Sequence, residues 1–196
     1  MVSSVPIAQR RKASPEPYRF NREEYDAMIA AGILDENDRV ELIAGEILTK
    51  MPIGPSHAST VKRLNRVFSR GAEDRCVVSI QDPIALNDLS EPEPDLALLV
   101  PRADHYENSH PRPAEVLLIV EVAESSLEFD RDRKIPLYAA ASIPEVWLID
   151  LTEKCLFRFR NPQQGRYTEI SRHAGGDRLP LSALPNLAIE LTELGL

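Results

Sequence analysis

The run VLLIVEVAES, Val116 to Ser125, is apolar almost throughout, yet Glu121 stands inside it. A short, continuous apolar run bounded by polar residues reads as a strand covered on both faces. CVVSIQ at 76–81 and DLALLV at 95–100 read the same way, so the three predict the middle of a sheet with helices packed over it. A carboxylate in such a strand loses hydration worth several kcal/mol unless a cation or a hydrogen-bond donor compensates. Glu121 therefore requires a partner that its own strand does not supply.

Outward from this centre, residues 1–17 carry Ser, Pro and basic residues without apolar periodicity and predict a flexible arm, and 18–196 predict a single domain. Asn21 and Glu24 have the spacing of a capping box, Tyr25, Met28 and Ile29 share a helical face, and Gly32 supplies a stop. RVELIAGEILTKM then alternates around Ala44-Gly45 as a hairpin, with Glu41 and Glu46 on its strands. Ser56 is placed to cap a second helix, in which His57, Val61, Leu64 and Phe68 fall on one side. Lys62, Arg66 and Arg70 follow at steps of four as a basic stripe.

The polar segment PRADHYENSHPRP separates two of the central strands, and a helix is predicted from about Asp130 to Ala141, with Pro136 in its first turn or at a kink. EVWLID and CLFRFR form a strand pair around Leu151 to Lys154, and RYTEIS and NLAIEL read as later strands. The fold class is α/β or α+β: a mixed central sheet flanked by helices.

Composition narrows the function. The 196 residues can bury a core without staples, and Cys76 and Cys155 lie 79 positions apart with no metal-ligand or CxxC spacing, which suits a reducing compartment. No apolar run has the length of a membrane span, and no secretory signal is read at the N-terminus, so a soluble cytoplasmic protein without a membrane partner is expected. The formal net charge of -8 argues against indiscriminate polyanion binding. Local sign matters more, and basic residues cluster at Arg10-Arg11-Lys12, along Lys62-Arg63-Arg66-Arg70 and at Arg131-Arg133-Lys134.

Asp95, directly after Pro94, opens one apolar strand and Glu121 sits near the end of another. Carboxylates from neighbouring strands can converge on a hard cation such as Mg²⁺, and the Val122 carbonyl could add an oxygen. Such an ion polarises a phosphoryl oxygen and lowers the pKa of water. Hydrolysis of a phosphodiester also gains from a nearby lysine, and Lys134 is the nearest candidate.

ELIAGEI, the helix beginning SHAS, PEPDLALLV, LLIVEVAESSLEFDRDRKIPLYAAASIPEVWLID and SALPNLAIEL together resemble the Uma-two family of restriction endonucleases, within the PD-(D/E)XK nuclease superfamily. The resemblance spans roughly residues 20 to 192. It implies a restriction-endonuclease-like core, a DNA substrate, and Mg²⁺ as cofactor with Mn²⁺ as a substitute. Asp95 matches the first metal ligand and Glu121 the acidic residue of the (D/E)XK element. The lysine two positions beyond is replaced by Ala123, and Lys134 matches the lysine that takes its place on the following helix. Glu41 matches an N-terminal acid that orients the attacking water, and Glu46 is the weaker candidate there. His57 matches a histidine that contacts phosphate or the water, and Lys62, Arg66 and Arg70 would guide the phosphate backbone. By analogy with nucleases that pair their sites to cut both strands, a homodimer is expected.

Each residue also has a plainer reading. Asp95 could be a turn carboxylate, Glu121 a partner of Arg131 or Arg133, and Lys134 one half of a surface pair with Asp130 four residues earlier. The basic stripe could be a solvated helix face. Tyr138 and Trp147 read as core or groove lining, Gln81 as a strand-end residue that could point into the site but more simply caps or turns, Asp130 and Asp132 as helix-start acids, and the cysteines as small apolar fillers. Ala123 and the acidic total leave room for a catalytically inactive binding or assembly module on the same fold, and an enzyme acting on another phosphate ester also remains open.

Overall fold

A computed structural model describes residues 16–35 and 37–196. The arm expected over 1–17, with Arg10, Arg11 and Lys12, lies outside the described residues apart from its last two positions. Helix α1 (Arg22–Ala30) starts at the capping box read from sequence: Asn21 Oδ1 accepts from the Glu24 N–H, and Glu24 returns the bond to the Asn21 N–H. Strands β1 (Val40–Ile43) and β2 (Glu46–Thr49) form an antiparallel hairpin. Ala44 and Gly45 both take positive φ, 51° and 79°, the geometry of a two-residue turn that matches strand twist.

Helix α2 (Pro55–Ala72) differs from expectation at its start. Gly54 is the cap and Pro55 the first helical residue, so Ser56 lies inside the helix. Proline at that position has its φ pre-set and no N–H to leave unpaired. Its apolar side buries Val61, Leu64, Phe68 and Ala72.

Strands β3 (Val77–Ser79), β4 (Leu96–Leu99), β5 (Val116–Ala123), β6 (Glu145–Asp150), β7 (Cys155–Gln163) and β8 (Arg166–Ala174) form one sheet in sequence order. Only β5 and β6 run parallel; every other pair is antiparallel. A parallel pair needs a crossover. The connection here is helical: α3 (Leu127–Phe129), a π turn over Asp130–Lys134, and α4 (Ile135–Ala140). The helical segment thus begins three residues before the predicted Asp130, and Pro136 sits harmlessly in the first turn of α4. Strands β9 (Arg178–Pro180) and β10 (Ala188–Glu190) make a small separate sheet, followed by α5 (Leu191–Leu194). NLAIEL therefore does not extend the main sheet.

Alternation along β5 divides the core. Leu118, Val120 and Val122 face Val61, Leu64, Phe68 and Trp147 on the α2 side. Ile119 and Ala123 face Ile135, Tyr138 and Leu148 on the α4 side. Phe68 and Trp147, fully buried, approach with ring centroids 5.9 Å apart. Both faces of the central strands are covered, as continuous apolarity requires. Among the described residues, no helix is long and apolar enough to cross a membrane.

Candidate active site

Strand register brings the two central acids together. β4 and β5 pair with Leu96 opposite Val120 and Ala97 opposite Ile119, and one further step sets Asp95 opposite Glu121. Directly opposed residues share a sheet face, with Cβ atoms about 4.5–5.5 Å apart. This is the α4 face, where Ala97, Ile119 and Ala123 are also found. At this level β4 has ended, and the freed Val122 N–H donates to Asp95 Oδ2 at 2.8 Å. In an antiparallel neighbour's ladder a residue's N–H and C=O leave on the same side, so the Val122 carbonyl is directed the same way.

Two more donors converge on Asp95. His57, in the first turn of α2, approaches Oδ2 with Nε2 at 3.0 Å, and Gln81 Nε2 donates to Oδ1 at 3.1 Å. Burial pushes the Asp95 carboxyl up, but His57, the Val122 N–H and Gln81 together outweigh it and hold the group below its usual range. The bond to Asp95 raises the His57 imidazole despite burial. Its Nδ1 is occluded from solvent and has no hydrogen-bond partner among the described residues.

Glu121 is 3% exposed. Its Oε1 accepts from Tyr138 Oη at 2.6 Å and from Lys134 Nζ at 3.3 Å. Lys134 Nζ also reaches Glu41 Oε2 at 3.0 Å, and that oxygen accepts the Glu93 N–H at 3.1 Å. Burial pushes Glu121 up to about 8; the Lys134 charge opposes this, while Asp130, Asp95 and Glu41 add to it. Burial alone would lower Lys134, but Glu121, Glu41 and Asp130 prevail and keep it protonated above its ordinary value. Asp130, buried and receiving a 2.6 Å bond from Ser126 Oγ, is also pushed up by burial, with Lys134 opposing.

These groups line one cleft of about 330 Å³ that includes Glu41, His57, Gln81, Asp95, Glu121, Val122, Asp130 and Lys134. Its lining carries the carboxyls of Glu41, Glu93, Asp95, Glu121 and Asp130 beside the cationic Arg39, Lys50 and Lys134. The donors are hard oxygens, the kind Mg²⁺ prefers. No group of three His, Cys, Asp or Glu side chains among the described residues stands in joint coordinating reach. A cation would therefore take one or two carboxylates, completed by water or a backbone carbonyl, which is the usual Mg²⁺ habit. In that sense the residues fit the ion.

The structure thus brings together Asp95, Glu121, Val122, Lys134, Glu41 and His57. It does not bring Lys62, Arg66 or Arg70 to the cleft; they are exposed along α2. Several plainer readings are corrected. Lys134 is buried rather than a surface partner of Asp130, and Arg131 and Arg133 pair with Asp132 and Glu46 rather than with Glu121. Glu46 also binds Arg19 and is absent from the cleft lining. Trp147 and both cysteines are buried, as read.

Three residues given plainer roles from sequence belong to the site: Gln81, Asp130 and Tyr138. The last two had a legible signal, since Asp130, Lys134 and Tyr138 recur at steps of four, the spacing of one helix face. For Gln81 the signal was its place at a strand end, while its aim depends on a positive φ of 55° just past β3, a sparsely populated conformation for a residue with a side chain.

A family model described as "Uma2: Putative restriction endonuclease" matches residues 22–192. Among solved structures, the chain is similar to "a putative nuclease belonging to DUF820 from Anabaena variabilis ATCC 29413", with a TM-score of 0.67 and 17% sequence identity, over 84% of this chain and 94% of that one. At that identity the likeness speaks for the fold. No curated protein matches.

Proposed function

Because the chain belongs to the Uma2 family, we propose that it is a Mg²⁺-dependent endonuclease that hydrolyses DNA phosphodiester bonds, with Mn²⁺ able to substitute. The observation that carries this reading is the meeting of Asp95 and Glu121 across β4 and β5 with Lys134 Nζ 3.3 Å from Glu121. Asp95, Glu121 and the Val122 carbonyl are the groups suited to hold the cation. When bound, the ion would supply Lewis-acid polarisation of a phosphoryl oxygen and ease deprotonation of water.

The remaining roles fall to side chains. Lys134, buried between Glu121 and Glu41, is a positive charge beside the place where charge builds on the phosphoryl oxygens, and preorganised charge needs no reorganisation at the moment of reaction. Glu41, which shares that ammonium, is placed to accept a hydrogen bond from the attacking water and orient it. His57, bonded through Nε2 to Asp95 and lining the cleft, is the candidate for contact with a phosphate oxygen or the attacking water. Lys62, Arg66 and Arg70 offer a solvated basic track for the backbone outside the cleft. Pairing of two copies would let both strands be cut.

A second reading, a nuclease-fold binding or assembly module without catalysis, is favoured by Ala123 in place of the superfamily's lysine. One experiment separates the two. Plasmid, linear and single-stranded DNA are incubated with the protein across a Mg²⁺ and Mn²⁺ titration, beside Asp95→Ala and Glu121→Ala. Cation-dependent cleavage lost by at least ~100-fold in both variants supports the endonuclease. Cleavage unchanged in either variant removes that residue from the site. No cleavage together with no calorimetric cation uptake supports the module.

A further inference from the structure

Tyr138 has a role that its burial alone does not explain. Its ring belongs to the apolar cluster with Ile119, Ile135 and Leu148, and the residue is 0% exposed. A phenylalanine would fill that space equally well. The hydroxyl instead donates to Glu121 Oε1 at 2.6 Å, and Lys134 Nζ approaches the same oxygen at 3.3 Å. Both donors therefore converge on one oxygen of the carboxylate. Oε2 accepts no hydrogen bond among the described residues and is not a fully occluded atom, while Glu121 lines the cleft.

We propose that Tyr138 is a positioning residue that pins Oε1 of Glu121 against the helix and so presents Oε2 to the cleft as the cation-binding oxygen. This deepens the endonuclease reading and rests on it. Groups that hydrogen-bond a ligating carboxylate fix its orientation, and losing one typically lowers metal affinity 10- to 100-fold. Lys134 divides its ammonium between Glu41 at 3.0 Å and Glu121 at 3.3 Å, whereas the Tyr138 hydroxyl bonds Glu121 alone. The two-donor arrangement arises from chain geometry: Lys134 closes the π turn, Tyr138 lies one helical turn on in α4, and both side chains meet the same strand residue.

The test is Tyr138→Phe, which keeps the ring in its cluster and removes only the donor. Mn²⁺ affinity is measured by calorimetry on wild type, Tyr138→Phe and Asp95→Ala, and binding of a labelled duplex is measured in chelator by fluorescence anisotropy. The expected result is a 10- to 100-fold weaker Mn²⁺ affinity in Tyr138→Phe, with duplex affinity unchanged. A melting profile confirms that the variant is folded at the assay temperature. A crystal structure of the cation-free variant gives a second readout, in which the Glu121 carboxylate is expected to be rotated from its wild-type setting. Wild-type Mn²⁺ affinity in Tyr138→Phe, with Asp95→Ala impaired, overturns the positioning role and leaves the endonuclease reading standing. An unrotated Glu121 also overturns it. Absence of Mn²⁺ uptake by the wild type overturns both.

Discussion

Replacing Glu121 by Gln should stabilise the protein in alkaline solution while abolishing its chemistry. The side chain is 3% exposed, and burial, opposed by Lys134, pushes its pKa from the ordinary 4.5 to about 8. Below pH 4.5 the group is neutral in the folded and unfolded chains alike. As pH rises, the unfolded chain ionises first and is favoured, so stability from this group drains away until the folded carboxyl also ionises near pH 8. At ~1.36 kcal/mol per pH unit, the full shift is on the order of 4–5 kcal/mol. Glutamine has no proton to lose, yet its amide oxygen can still accept from Tyr138. Asp130, which burial also raises, titrates in both proteins, so the difference between them reports Glu121 together with its coupling to Asp130. Urea unfolding of wild type and Glu121→Gln at about pH 5.5 and about pH 8 should therefore show the gap moving in the variant's favour by about 3 kcal/mol. A gap that stays constant between the two conditions would falsify the claim that this carboxyl is held neutral by burial.

Lys134→Met keeps the length of the stem but leaves Glu41 and Glu121 without their ammonium; turnover should fall by about 10²–10³, and the loss of stability should be larger at about pH 8 than at about pH 5.5, as denaturant titrations at both would record. Neutralising Lys62, Arg66 and Arg70 together to Gln should weaken duplex binding for every sequence and flatten the plot of log K against log salt by up to ~3; an unaltered slope would mean the stripe is only solvated. Glu145, 1% exposed, accepts from Arg158 Nε at 2.6 Å, Trp147 Nε1 at 2.7 Å and the Ser182 N–H at 2.8 Å. Glu145→Ala strands a buried guanidinium and should cost about 3–5 kcal/mol in chemical denaturation, without altering cation affinity.

How far the sequence was legible depended on the range of the forces involved. β5 and the hairpin follow from periodicity and turn chemistry, which act over a few residues, and both stand where the residues place them. The meeting of Asp95 and Glu121 was legible only because each occupies a strand end, and antiparallel pairing of consecutive strands makes such ends neighbours. What periodicity cannot carry is an irregular backbone. The spacing of Asp130, Lys134 and Tyr138 marks a shared face, but neither the π turn that carries Asp130 nor the positive φ that aims Gln81 leaves a composition signal. Tyr138 is core, as its spacing implies, but its hydroxyl also bonds Glu121, and a pattern of apolar positions registers only the ring.

Alanine at position 123 and the placing of Lys134 are linked through the packing of α4 on β5. Position 123 shares the Glu121 face of β5, is 1% exposed and lies in the apolar cluster of Ile135, Tyr138 and Ala139. A lysine stem there would occupy the space into which α4 packs, and overpacking of a filled core costs about 1–3 kcal/mol even before a charge is buried. Alanine lets the helix approach. That approach delivers the ammonium of Lys134 and the hydroxyl of Tyr138 to the same oxygen of Glu121. The Lys134 ammonium thus reaches both acids from the helix side, 3.3 Å from Glu121 and 3.0 Å from Glu41. Held between two elements rather than rooted in the strand, it couples the hairpin acid to the sheet acid. A change at Glu41 should therefore be felt at Glu121 through the shared ammonium, even though β1 and β5 belong to different sheets.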